Sequence, residues 1–95
     1  MKNFMIEGAS KILKAIGNAK RLEIAFVLRE GEMKVGDLEK RIGLSQSALS
    51  QHLAIMRAEG IVQTRRKAQT IYYSIRNEKV LKILSLLENM YSRLY

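Results

Sequence analysis

The sequence predicts one mainly α-helical domain carrying a single small β-hairpin. Three observations support that prediction. Apolar residues recur at helical spacing through most of the 95 residues. The period changes once, in IVQTRRKAQTIYYSI, where β-branched and aromatic residues gather as strands prefer. Proline is wholly absent, so glycine and asparagine punctuate the chain. A hydrophobic fraction of 47% is ample for a core at a length near the lower end of what folds alone.

The elements follow in order. Phe4, Ile6, Ile12, Leu13 and Ile16 suit an amphipathic helix over about 3–16, stopped near Gly17. Asn18 is placed to cap a second helix that buries Leu22, Ile24, Phe26, Val27 and Leu28 and closes at Gly31. A short third helix covers about Gly36 to Ile42, with Leu38 and Ile42 on one face, and Gly43 stops it. Ser45 caps a fourth helix running to about Glu59, ended by Gly60. Short helix, glycine turn and capped second helix form a helix-turn-helix pattern over about 36–59. The hairpin spans about 61–75, with RRKAQ as its polar, basic tip. Asn77 caps a last helix, about 78–94, whose apolar residues cover well over half its circumference. A helix that apolar needs a second surface, and the simplest in so small a chain is another copy of itself. The whole of 1–95 therefore reads as one winged helix-turn-helix, dimerising through Phe4, Ile6, Ile12, Leu13, Leu84, Leu87, Met90, Tyr91 and Leu94 of the terminal helices.

Composition excludes several classes of function. Without cysteine there is no disulfide frame, thiolate metal site or thiol switch. His52 is the only histidine, and one imidazole without a matched partner builds no metal site of the usual kinds. It reads either as a partly packed structural residue or as a phosphate contact. No nucleophile–base pair or phosphate-cradling glycine loop appears, so neither an enzyme nor a cofactor is expected. Lys11 and Lys14 break up the apolar N-terminus, which predicts no signal peptide. No apolar run approaches the roughly 18 residues of a membrane span. A cytoplasmic protein is expected. The net charge of +8 points to a polyanion, most simply nucleic acid.

Where that charge lies is informative. Residues 31–60, which hold the helix-turn-helix, contain four residues of each sign and sum to zero. Residues 61–76 contain Arg65, Arg66, Lys67 and Arg76 and no acid. At 100° per residue the fourth helix sorts into an apolar arc of Leu49, Leu53 and Met56 and an opposite arc of Gln46, Ser47, Ser50, Gln51, Ala54 and Arg57. A helix laid in the major groove needs short or amide side chains that meet base edges. Gln pairs bidentately with adenine, and Ser serves several bases. Cations would raise affinity for any sequence without improving discrimination. The predicted DNA-binding residues of the recognition helix are thus Ser45, Gln46, Ser47, Ser50, Gln51, His52 and Arg57. The wing holds the backbone or minor groove through Arg65, Arg66, Gln69 and Thr70. A plain solvated face and a solubilising hairpin tip are the competing readings. A winged helix used for protein–protein contact, or a non-specific architectural DNA binder, remains the alternative function.

With these residues in view, the chain resembles the ArsR/SmtB family of dimeric winged-helix repressors, and within it the NolR group of nodulation repressors. The likeness is densest in VGDLEKRIGLSQSALSQHLAIMRAEGIVQTRRKAQTIYYSI, residues 35–75. It implies a bacterial homodimer on a pseudo-palindromic double-stranded operator, repressing by occupancy that excludes RNA polymerase. Metal-sensing members carry a Cys-x-Cys pair where this chain has Lys34 and Gly36. A second family metal site needs Asp and His on a last helix that here has neither, and redox-sensing members need two cysteines. The resemblance therefore implies neither metal nor thiol sensing. Ala19 stands where many members have Pro, a change that costs little because Ala is a good helix former.

Overall fold

The computed structural model describes residues 2–92. Its elements are α1 (Asn3–Ile16), α2 (Ala19–Glu30), β1 (Met33–Lys34), α3 (Val35–Ile42), α4 (Gln46–Ala58), β2 (Val62–Lys67), β3 (Thr70–Ile75) and α5 (Glu78–Ser92). The helix boundaries follow local chemistry. Asn18 Oδ1 accepts from the amides of Lys20 and Arg21 at 3.0 and 3.1 Å. Ser45 Oγ accepts from the Ala48 amide, and Asn77 Oδ1 from those of Lys79 and Val80. Each satisfies amides that the first helical turn leaves unpaired, worth about 1 kcal/mol per cap. Asn77 also donates from Nδ2 to the Gly60 carbonyl, so the start of α5 is tied to the end of α4.

Glycine is required at two of the stops for different reasons. Gly43 ends α3 in the left-handed region, φ 76°, with its amide on the Glu39 carbonyl. Gly17 has an ordinary φ of −80°, but a Cβ there would lie 2.6 Å from the Leu13 carbonyl oxygen. The first is a matter of backbone conformation, the second of space.

One core organises the domain. Ile24, Leu38, Leu49, Met56, Ile61, Val80 and Leu84 are fully enclosed, joined by Ile16, Leu28, Leu53 and Val62. Among the described residues no polar or charged side chain is buried, so the core carries no uncompensated desolvation cost. Leu22 and Phe26, expected inside, are only half-buried on the rim of the core.

The structure departs from the sequence reading in four further places. The hairpin is the larger part of a three-stranded antiparallel sheet of order β1-β3-β2, because Met33 and Lys34 pair with Tyr73 and Tyr72. The tip is narrower than RRKAQ. Arg65, Arg66 and Lys67 are strand residues, Lys67 pairs Thr70, and only Ala68 and Gln69 turn. Ala68 takes φ 56°, the positive φ that a two-residue hairpin turn demands of its first central residue and that usually falls to glycine. Leu84 faces its own core at 0% exposure and so has no surface to give a second chain. Finally, α3 starts at Val35, one residue before Gly36. Leu94 lies outside the described residues. Among the described residues no helix is long and apolar enough to cross a membrane.

Candidate nucleic-acid interface

The fourth helix is divided as its 3.6-residue period demands. Leu49, Leu53 and Met56 are buried, whereas Gln46, Ser47, Ser50, Gln51, Ala54 and Arg57 are all exposed. Packing of the buried face therefore fixes the azimuth at which the amides and hydroxyls are presented. The side chains of Gln46, Ser50, Gln51 and Arg57 make no hydrogen bond to other described residues, so their polar groups are open to a ligand. Ser45 is different. Its hydroxyl is engaged as the N-cap and lies 3.4 Å from Ser47 Oγ.

Beside this arc stands the wing. Ser50, Leu53, Ala54, Arg57 and Ala58 of α4 line a cleft of about 350 Å³ with Tyr73 of β3. Ser50, Ala54 and Arg57 of the arc thus share one concavity with the central strand of the sheet. Strand alternation places Val62, Thr64 and Arg66 with Ile71, Tyr73 and Ile75 on the core side of the sheet, and Gln63, Arg65 and Lys67 with Thr70, Tyr72 and Ser74 on the other. Tyr73 accordingly packs against the core and Tyr72 faces outward. Arg66, Lys67 and Gln69 are exposed near the tip, and Thr70 is half-buried.

Two of the expected contact residues are already engaged within the chain. Arg65 Nε donates to both carboxylate oxygens of Glu32, at 3.0 and 2.8 Å, and Nη2 donates to Oε1. Its guanidinium also lies over the Tyr72 ring, 4.6 Å from the centroid. The hydrogen bond from Arg65 holds the Glu32 carboxyl below its ordinary pKa, and the same bond raises that of Arg65. The free cations of the wing are therefore Arg66 and Lys67 rather than Arg65. His52 is half-buried, and its Nδ1 lies 3.2 Å from Arg21 Nη1. Arginine only donates, so Nδ1 accepts and the proton sits on Nε2. Arg21 also donates to the carbonyls of Ala15 and Lys14 at the end of α1. His52 is thus a structural link from α4 through Arg21 to α1. Sequence reasoning missed Arg21 and Glu32, because both act across long separations that carry no periodic signal.

A second surface lies on the terminal helices. Phe4, Met5, Ile6 and Leu13 of α1 and Leu86, Met90 and Tyr91 of α5 are large apolar residues left exposed, Phe4 by 72%. Ile12 and Leu87 are half-buried beside them. Large apolar side chains left exposed in this number on the two terminal helices suit an interaction face on a small domain.

Taken together, the fold and its exposed arc define a class, the winged helix-turn-helix DNA-binding transcription regulators. More narrowly, the chain belongs to the arsR family of bacterial regulatory proteins, whose family model matches residues 18–64. It is 54% identical over 85 residues to the nodulation protein NolR of Rhizobium meliloti, covering 90% of this chain and 70% of that protein. The crystal structure of NolR from Sinorhizobium fredii superposes with a TM-score of 0.87 at 52% identity, over 92% of this chain and 87% of that one. HlyU from Vibrio cholerae N16961 superposes with a TM-score of 0.89 at 42% identity, over 97% and 99% of the two chains, and is named a transcriptional activator. The biofilm growth-associated repressor of Xylella fastidiosa is 37% identical over 82 residues, 86% of this chain and 72% of that protein.

Proposed function

We propose that the chain is a homodimeric repressor that reads a pseudo-palindromic operator and acts by occupying it. The observation that carries this reading is the exposed, charge-free arc of Gln46, Ser47, Ser50 and Gln51, followed in the same chain by a cationic wing whose Tyr73 shares a cleft with Ser50. Amides and hydroxyls on a rigid helix discriminate between base edges, and the cations hold the phosphates. The exposed apolar face of α1 and α5 is the dimerisation surface, through Phe4, Ile6, Leu13, Met90 and Tyr91 with Ile12 and Leu87 at its border. A two-fold dimer presents its two α4 helices to successive major grooves, so half-sites lie about one helical turn, roughly 34–36 Å, apart or a multiple of it. Bound over a promoter, the dimer excludes RNA polymerase without contacting it. The protein works in the bacterial cytoplasm, at the nucleoid. Control runs without metal or thiol chemistry, in keeping with a chain that has no cysteine and one histidine, the latter engaged by Arg21.

The test is selection of genomic fragments on the purified protein at about 0.15 M salt, near physiological ionic strength. Enrichment of an inverted repeat upstream of genes, with lower reporter expression when the protein is present, is the expected result. Binding with no enriched motif would make the protein an architectural binder. No retained DNA would leave the α1–α5 face as the site of protein contacts, and raised reporter expression would make it an activator.

A further inference from the structure

Arg65, Tyr72 and Lys34 stand in one row across the sheet, since Arg65 pairs Tyr72 and Tyr72 pairs Lys34. Directly paired residues share a face, and Glu32 lies two residues before Lys34 on the same side. The Arg65 side chain therefore leaves edge strand β2, crosses the ring of Tyr72 in central strand β3, and ends in the Glu32 carboxylate at the opposite edge. Its planar fork meets that carboxylate through two nitrogens, a geometry lysine cannot reproduce.

We propose that Arg65 is a positioning residue, the strap of a clasp across all three strands that sets the wing relative to the helix-turn-helix, and that it does not contact the duplex. The inference rests on the DNA-reading function proposed above. Glu32 is joined directly to β1, and β1 runs straight into α3, so the clasp ties the wing to the first helix of the helix-turn-helix. Glu32 occupies Nε and Nη2 of Arg65, the edge of the guanidinium through which a bidentate phosphate contact would form, and sets a negative charge beside any phosphate that approached the remaining nitrogen. The pair is neutral as it stands and releases no counterions. The depressed pKa of Glu32 agrees with a carboxylate that keeps its partner.

The two roles predict opposite signs for one substitution. Glu32→Gln removes a negative charge and so raises the net charge by one, and Arg65→Ala lowers it by one. As a clasp, both weaken binding to a mixed-sequence 30-bp duplex by roughly two- to fivefold, the double variant is no weaker than either single one, and the salt slope stays at the wild-type value. Arg65→Lys then behaves as Arg65→Ala, because charge without the fork does not close the clasp. As a phosphate contact, Glu32→Gln tightens binding, Arg65→Ala flattens the salt slope by about 1, and Arg65→Lys retains affinity. That result overturns the proposal.

A DNA-free measurement keeps this distinct from failure of the functional reading. Amide hydrogen exchange between β1 and β3 should quicken equally in Glu32→Gln and Arg65→Ala, with circular dichroism showing both folded. Unchanged exchange in either variant overturns the clasp whatever the DNA result. Faster exchange with no sequence preference in the genomic selection overturns only the function.

Discussion

The fourth helix and the wing are neighbours over one cleft, yet they present their polar groups in opposite ways. On α4 the side chains suited to bases are free, and the residues beneath them are fully enclosed. On the wing the charge is abundant, but Arg65, the first residue of the basic run, is already held by Glu32 and Tyr72. Counting cations therefore overstates what the wing has to offer, whereas counting amides on α4 does not. Availability depends on tertiary partners. It is set by packing alone on a helix with a clean apolar stripe, and by cross-strand neighbours on a sheet.

The largest effect that would sharpen this contrast is on the buried side of α4. Leu49→Ala should cost about 2–5 kcal/mol of stability, the usual range for an enclosed leucine, measured by urea denaturation. Gln46→Ala, on the opposite face of the same helix, should leave the midpoint unchanged. A comparable loss for both would mean that the arc is not independent of the core.

Next in size are the reading residues. Gln46→Ala and Gln51→Ala should each lose about 1–3 kcal/mol of discrimination between a selected operator and a scrambled one, if each glutamine meets its base bidentately. Their affinity for scrambled DNA should hardly move. On the wing, Arg66→Ala should weaken operator and scrambled duplex alike and reduce the salt slope by about 1. Equal losses on all sequences from both groups of variants would erase the division of labour between helix and wing.

The smallest expected effect concerns acid. Glu32 has a carboxyl pKa depressed in the folded chain by the Arg65 hydrogen bond. Its contribution is then complete above the ordinary carboxylate pKa and is lost as pH falls through the depressed value. Wing protection from hydrogen exchange should be level from neutral pH through mildly acidic pH and decline only in stronger acid. An NMR titration of Glu32 should show its midpoint rising in Arg65→Ala, and an unmoved midpoint would remove the physical basis of the pairing.

Most of the helical frame was legible because its signals are local. Asn18, Ser45 and Asn77 cap where their positions before apolar runs suggest, and the two arcs of α4 follow from a single period. What escaped was long-range or ambiguous. Met33 and Lys34 are too few to show alternation, so β1 exists only because Tyr73 and Tyr72 pair with it. The hairpin turn uses Ala68 at positive φ, where no Gly, Asn or Asp marks the site, and the tip consequently looked broader than it is. The last helix is apolar over so much of its circumference that periodicity alone cannot separate Leu84, which is enclosed, from Leu86, which is 58% exposed. The Glu32–Arg65 and Arg21–His52 contacts join residues 33 and 31 positions apart. For Arg65 and for His52, which read equally as a packed residue or a phosphate contact, residue type was visible in the sequence and the intramolecular partner was not.

The strand order has one more consequence. With β3 in the centre, β2 is an outer strand whose far edge pairs with nothing in the sheet. Such an edge is a template on which a second molecule can add its own strand, the first step toward a fibre. Arg66 and Lys67, the cations left free beside the neutral Glu32–Arg65 pair, occupy the outer end of that strand. Two such edges brought together repel, so the row of charge keeps the protein from polymerising through its wings at the concentrations in which a dimer must find its partner.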